Sequence, residues 1–121
     1  MPTLAEVMST TLVTVAPATT VAEAATMMST RHVGSALVMD GDTLLGIFTE
    51  RDIVRALGSD FAAAGEPVRA RMSTDPRTMP STADTVDALA LMLAEGFRHV
   101  PVVDEGRVSG IVSMRDLTSM G

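Results

Sequence analysis

Two short runs carry residues that could do chemistry. GIFTERD (46–52) returns as GIVSMRD (110–116): a glycine, two apolar residues, a hydroxyl residue, two free positions and an aspartate, 64 residues apart (110 − 46 = 64). One chemistry open to Thr49-x-x-Asp52 and Ser113-x-x-Asp116 is helix capping. The hydroxyl accepts a backbone N–H, and the carboxylate reaches back while facing the positive end of the helix dipole. Such a cap stabilises a helix by about 1 kcal/mol. The other chemistry is ligand binding. A helix N-terminus favours phosphate, and a carboxylate can take both hydroxyls of a ribose cis-diol through its two oxygens. Gly46 and Gly110 would leave room for a ring to approach the backbone.

The elements that must position these residues also come in two copies. Met8-Ser9-Thr10 matches Met72-Ser73-Thr74 at the same offset, as do Asp40 with Asp104 and Asp52 with Asp116. Between them the valines align best at 65, Val21 with Val86, which calls for one extra residue in 74–85 and one fewer near Gly96. Each copy opens with a short extended run, TLVTV (11–15) and PRTM (76–79). A helix follows, with Val21, Ala24, Ala25 and Met28 on the inward face of the first and Val86, Leu89, Ala90 and Leu93 on that of the second. Thr19 or Thr20, and Asp84 or Thr85, are the expected N-caps. Two hairpins come next, ALVM (36–39) with LLGIF (44–48) and VPVV (100–103) with VSGIV (108–112). They turn at DGDT and DEGR. A short helix after Thr49 or Ser113 closes each copy, giving β-α-β-β-α twice.

Composition sets the limits. The chain has 121 residues, 46% hydrophobic but only 2% aromatic, so its core must be aliphatic, with ten methionines available. One repeat of about 55 residues is marginal alone, so the two are expected to form a single core. No cysteine is present, and residues 1–10 lack a basic start and an apolar run, which suits a soluble cytoplasmic protein without a signal peptide. No run approaches the roughly 20 apolar residues that cross a bilayer. A net charge of −6 argues against nucleic acid or an anionic membrane as partner. All nine basic residues are arginines, whose planar fork suits phosphate.

Other chemistries fare poorly. His32 and His99 have no metal-ligand spacing, so no metal site is assigned; His32 reads as a helix-end surface residue. Ser113, His99 and Asp116 lack a nucleophile elbow, and no catalytic residue is assigned. Asp104-Glu105 and Asp40-x-Asp42 read as solvated hairpin turns.

The doubled pattern, with VPVVD, GIFTERD and GIVSMRD in place over residues 3–118, resembles the tandem cystathionine-β-synthase (CBS) domain pair, or Bateman module. The resemblance implies an α/β (α+β) fold of two β-α-β-β-α repeats packed with pseudo-two-fold symmetry: repeat 1 at 3–58, a connector at 59–67 and repeat 2 at 68–118. It implies a regulatory, non-catalytic module binding an adenosine nucleotide (AMP, ADP or ATP, ahead of S-adenosylmethionine or NAD) in a cleft between the repeats. Any Mg2+ would arrive on the ligand's phosphates. One site would combine Thr49 and Asp52 with Met79, Arg98, His99 and Val100. The other would combine Ser113 and Asp116 with Thr10, Val13, Ser35 and Ala36. Arg98 and His99 would neutralise phosphate, so the Asp52 site would be the better nucleotide site. With so few aromatic rings, adenine would lie between aliphatic side chains. The family's habits further imply a homodimer and a separate effector protein. The alternative is a ligand-independent dimerisation or interaction module in which both hydroxyls are caps only.

Overall fold

In a computed structural model, which describes residues 2–119, the chain divides into two compact units that cut across the sequence repeats. Val13–Pro76 forms a contiguous unit. The composite unit joins the stretch up to Leu12 to the stretch from Arg77 onward.

The contiguous unit is a four-stranded sheet with helices, its strands neighbouring one another in chain order. Strand β1 is only Thr14–Val15, shorter than the expected 11–15, and runs parallel to β2 (Ser35–Asp40). β2 and β3 (Thr43–Thr49) form the expected antiparallel hairpin, closed by Gly41 with φ of 59°. β4 is Ser73–Thr74, paired to β3 through Gly46↔Thr74 and Ile47↔Ser73. Helix α2 (Val21–Arg31) starts on a complete capping box: the Thr20 hydroxyl accepts from Glu23 N at 3.1 Å, and Glu23 Oε1 accepts from Thr20 N at 3.1 Å. The Thr20 backbone and hydroxyl donors hold the Glu23 carboxyl below its ordinary value. Val21, Ala24 and Met28 are buried, as their spacing requires, in a core with Val13, Val15, Ala36, Val38, Phe48 and Val68. Helix α3 (Glu50–Ser59) follows β3 directly. Two 3-10 turns, Phe61–Gly65 and Val68–Ala70, then bring Ala63 and Val68 to full burial, so the connecting segment is built into this unit.

The composite unit repeats the plan. Helix α1 (Leu4–Val7) buries Leu4; α4 (Thr85–Glu95) packs on the hairpin of β5 (His99–Asp104) and β6 (Arg107–Ser113); α5 (Met114–Thr118) closes it. Glu105 and Gly106, at φ of 50° and 78°, form the tight hairpin turn that right-handed strand twist prefers. The run 76–79 is not a strand: Met79 alone bridges Val102. Ser9 bridges Ile111, the counterpart of Ser73 beside Ile47. The opening Met-Ser-Thr of each sequence repeat therefore completes a sheet belonging mostly to the other repeat.

The second helix faces differently from its hydrophobic stripe. Thr85, Ala88 and Met92 are buried, while Val86 and Leu93 are 50% and 68% exposed. Thr85, Ala88 and Met92 stand 64 residues after Val21, Ala24 and Met28, so the offset is 64 throughout and no residue is inserted or lost. Threonine nearly matches valine in shape and takes its inward place. The same offset relates N-caps Thr20 and Asp84, and left-handed C-caps His32 and Gly96.

Candidate functional site

Each hydroxyl–aspartate pair sits where a hairpin strand turns straight into a helix. Thr49, extended at φ of −120°, ends β3 and caps α3. Asp52 Oδ2 accepts from Thr49 N at 2.9 Å and from the Thr49 hydroxyl at 3.1 Å, while the hydroxyl oxygen accepts from Asp52 N at 3.3 Å. Ser113 ends β6 and caps α5 in the same way. Asp116 Oδ2 accepts from Ser113 N at 2.8 Å, and the Ser113 hydroxyl accepts from Asp116 N at 3.1 Å. Both pairs are complete capping boxes. Their settings differ in depth: Asp52 is only 8% exposed, whereas Asp116 is half-buried.

The neighbouring strand supplies the next residues. Ser35 stands directly across from Thr49 and His99 directly across from Ser113, so each pair shares a sheet face. Glu50 N donates to Gly34 O at 3.1 Å and Met114 N to Arg98 O at 2.8 Å, tying each helix start to that strand.

The contiguous unit thus gathers Thr49, Asp52, Ser35, Ala36 and Val13, the last bonded through its carbonyl to Leu37 N at 2.8 Å. The composite unit gathers Ser113, Asp116, Arg98, His99, Val100, Met79 and Thr10. Each residue set grouped in the sequence reading is divided between the units. The side chains of Val13, Ala36 and Val100 lie in the two cores, Met79 is half-buried against the composite core, and Thr10 is exposed. His32 is exposed at the end of α2, where the sequence places it.

Two local readings change. Gly46 and Gly110 do not leave open space. A methyl carbon on Gly46 would lie 2.6 Å from the Ser73 carbonyl oxygen and 2.7 Å from Met72 Sδ. One on Gly110 would lie 2.8 Å from the Ser9 carbonyl oxygen and 2.7 Å from Met8 Sδ. The glycines admit the Met-Ser segment of the chain itself. Nor is Asp104 merely a solvated turn residue: its Oδ2 accepts from the Ser109 hydroxyl at 2.6 Å and its Oδ1 from Ser81 N at 2.9 Å. The Ser109 hydroxyl first, then the Ser81 donors, hold this carboxyl below its ordinary value.

A shallow concavity of about 500 Å³, lined by Val54, Leu57 and Phe61 among others, lies at the carboxyl end of α3, away from Thr49 and Asp52. No periodic signal marked it, since Phe61 belongs to a 3-10 turn. Among the described residues, no group of His, Asp and Glu could hold a metal ion, and no helix is long and apolar enough to cross a membrane.

A duplicated hairpin ending in a capped helix start defines a class of small α+β domains, and comparison with known proteins gives the class its name. The CBS domain model matches residues 4–59 and 68–120, and the chain belongs to the CBS domain family. It is 32% identical over 117 residues to the CBS domain-containing protein YhcV of Bacillus subtilis, covering 97% of this chain and 84% of that one. The crystal structure of the CBS-domain containing protein ATU1752 from Agrobacterium tumefaciens superposes with a TM-score of 0.87 at 33% identity, over 90% of this chain and 88% of that one. The structure of CBSX2 in complex with AMP superposes with a TM-score of 0.84 at 25% identity, over 99% and 96%.

Proposed function

We propose that this chain is a regulatory, non-catalytic module that binds an adenosine nucleotide. The observation that carries the proposal is the duplicated hydroxyl–aspartate pair at the same strand-to-helix junction of both units. The likeness to CBSX2, whose structure holds AMP, supports adenosine as the ligand class. In this reading Asp52 and Asp116 take ribose hydroxyls while Thr49 and Ser113 stand beside them. Arg98 and His99 serve the phosphate of the better site, as the family resemblance implies. Met79 would contribute apolar contact to that ligand while the backbone at Val100 reads the adenine edge; at the second site the backbone at Ala36 would do the same, with Val13 as a wall and Thr10 and Ser35 beside it.

AMP, ADP and ATP are the leading ligands, ahead of S-adenosylmethionine and NAD, with Mg2+ accompanying phosphates rather than held by protein ligands. Repeat boundaries of 3–58 and 68–118, a cytoplasmic setting, a homodimer and a separate effector protein complete the proposal. The exposed apolar residues Val86 and Leu93 of α4 support pairing with a second copy.

One observation favours a second reading, in which the module only binds other proteins: the caps by themselves satisfy Thr49, Asp52, Ser113 and Asp116 locally. A thermal-shift panel with the five ligands separates the two. Nucleotide binding predicts a concentration-dependent rise in midpoint for wild type, because bound ligand adds about RT ln(1 + [L]/Kd) to the stability. That increment should shrink in Asp52→Ala and Asp116→Ala, each judged against its own ligand-free baseline because the cap is lost too. No ligand-induced rise in wild type at millimolar nucleotide would leave the protein-interaction reading standing.

A further inference from the structure

The methionine sulfurs seated on Gly46 and Gly110 carry an inference independent of any nucleotide. Each stands at the start of a very short segment that completes a sheet. Met72 precedes β4, which meets β3 at only two residue pairs, with Asp75 N to Leu45 O at 3.3 Å beyond them. Met8 precedes Ser9, which exchanges two backbone bonds with Ile111 at 2.9 and 3.0 Å. So few hydrogen bonds hold a strand weakly, because each contributes only about 0.5–1.5 kcal/mol net. Packing of the thioether on the bare glycine supplies the rest. In both units Sδ approaches the glycine's would-be methyl position to 2.7 Å, and Met Cγ to 3.1 Å at Gly46 and 2.9 Å at Gly110. Met72 packs on the contiguous core and Met8 on the composite core. Both are half-buried, so a small oxidant reaches them while the sulfur still works as an apolar plug.

We propose that Met8 and Met72 form a duplicated redox-sensitive latch, in which oxidation by a peroxide releases the Met-Ser-Thr segment from each sheet. The thioether sulfur attacks the peroxide; the O–O bond breaks, an S–O bond forms, sulfur loses two electrons, and hydrogen peroxide leaves as water. The sulfoxide is larger by one oxygen and strongly polar. At the glycine contact that oxygen meets strand backbone and the adjacent serine carbonyl, with which it cannot hydrogen-bond. Water is the better environment, and the segment leaves the sheet edge to reach it. Met28 and Met92, 2% and 0% exposed, are shielded by comparison. Met27, 41% exposed on α2, oxidises readily but packs on no glycine, which makes it an internal control.

The test is hydrogen peroxide titration of the full chain, with peptide mapping, amide hydrogen exchange and thermal midpoint read together. Oxidation at Met8 and Met72 should coincide with at least tenfold faster exchange at Ser9, Ile111 and Asp75 and a midpoint fall of about 5–10 °C. Met8→Leu/Met72→Leu, which keeps the apolar plug but has no sulfur, should keep its midpoint through the same treatment, whereas Met27→Leu should lose it as wild type does. Methionine sulfoxide reductases with a dithiol reductant should restore the midpoint. The proposal is overturned if exchange at these amides is unchanged once both residues are oxidised, if the double leucine variant stays as sensitive as wild type, or if Met28 and Met92 oxidise first.

Discussion

At the scale of single residues, the two units spend their carboxylates in similar ways. Asp52 and Asp116 each bind the amide three residues back, and Asp104 joins the end of β5 to Ser109 on β6 and to Ser81 ahead of α4. Only the ionised form of Asp104 accepts both bonds fully, so its pKa is lower folded than unfolded. A lowered carboxyl contributes stability above its unfolded pKa and loses it as pH falls through the folded one. Asp104→Asn should therefore lower the thermal midpoint at neutral pH, with the gap to wild type closing from about pH 4 downward. Subtracting the two midpoint–pH curves isolates this group from other titrating acids. A constant gap from pH 7 to pH 2.5 would refute the assignment. The sequence marked Asp104 through its repeat partner Asp40, but not its bonds, because Ser81 lies 23 residues away and only folding brings it near.

At the scale of elements, the hairpins and capped helices were legible because local chemistry writes them. Turn residues, period-two apolar runs and S/T-x-x-D/E boxes all sit within a few positions of one another. The inward face of α4 was not legible from hydrophobicity. Val86, Leu89 and Leu93 form a better apolar stripe than Thr85, Ala88 and Met92, yet the latter are buried, and of the stripe only Leu89 packs against the core. Gly96 misled for a related reason. It looks like a deletion beside the first repeat, whereas it fills the left-handed position that His32 fills there, at φ of 81° against 56°. A side chain at such a cap is strained where glycine is not. His32→Gly should therefore stabilise the chain by about 0.5–1 kcal/mol, after allowing for glycine's freedom when unfolded, and Gly96→Ala should destabilise it by about 1 kcal/mol. Urea midpoints of the two variants against wild type provide the check; equal values for all three would mean the caps carry no strain.

At the scale of the whole molecule, the sequence repeat and the compact unit are different objects. The repeat is the unit of resemblance, but each sheet borrows its last strand, or its last bridging residue, from the start of the other repeat. Segment 73–74 serves β3, and Ser9 serves β6. The composite unit also depends on α1: Leu4 is fully buried in its core, Leu4 N donates to Ala83 O at 2.9 Å, and Thr85 N donates to Pro2 O at 3.0 Å. Removing residues 1–12 takes nothing from the contiguous core, which is built entirely from Val13 onward. It takes Leu4, Val7 and Met8 from the composite core, and the loss of a buried leucine alone costs about 2–5 kcal/mol. A chain starting at Val13 should therefore lose amide protection in 99–113, some 86 residues or more from the cut, while 35–49 stays protected nearby. Hydrogen exchange mapped by peptide decides it. Loss confined to 35–49 would mean that the N-terminal segment supports the repeat it precedes, and the strand exchange between repeats would have to be given up.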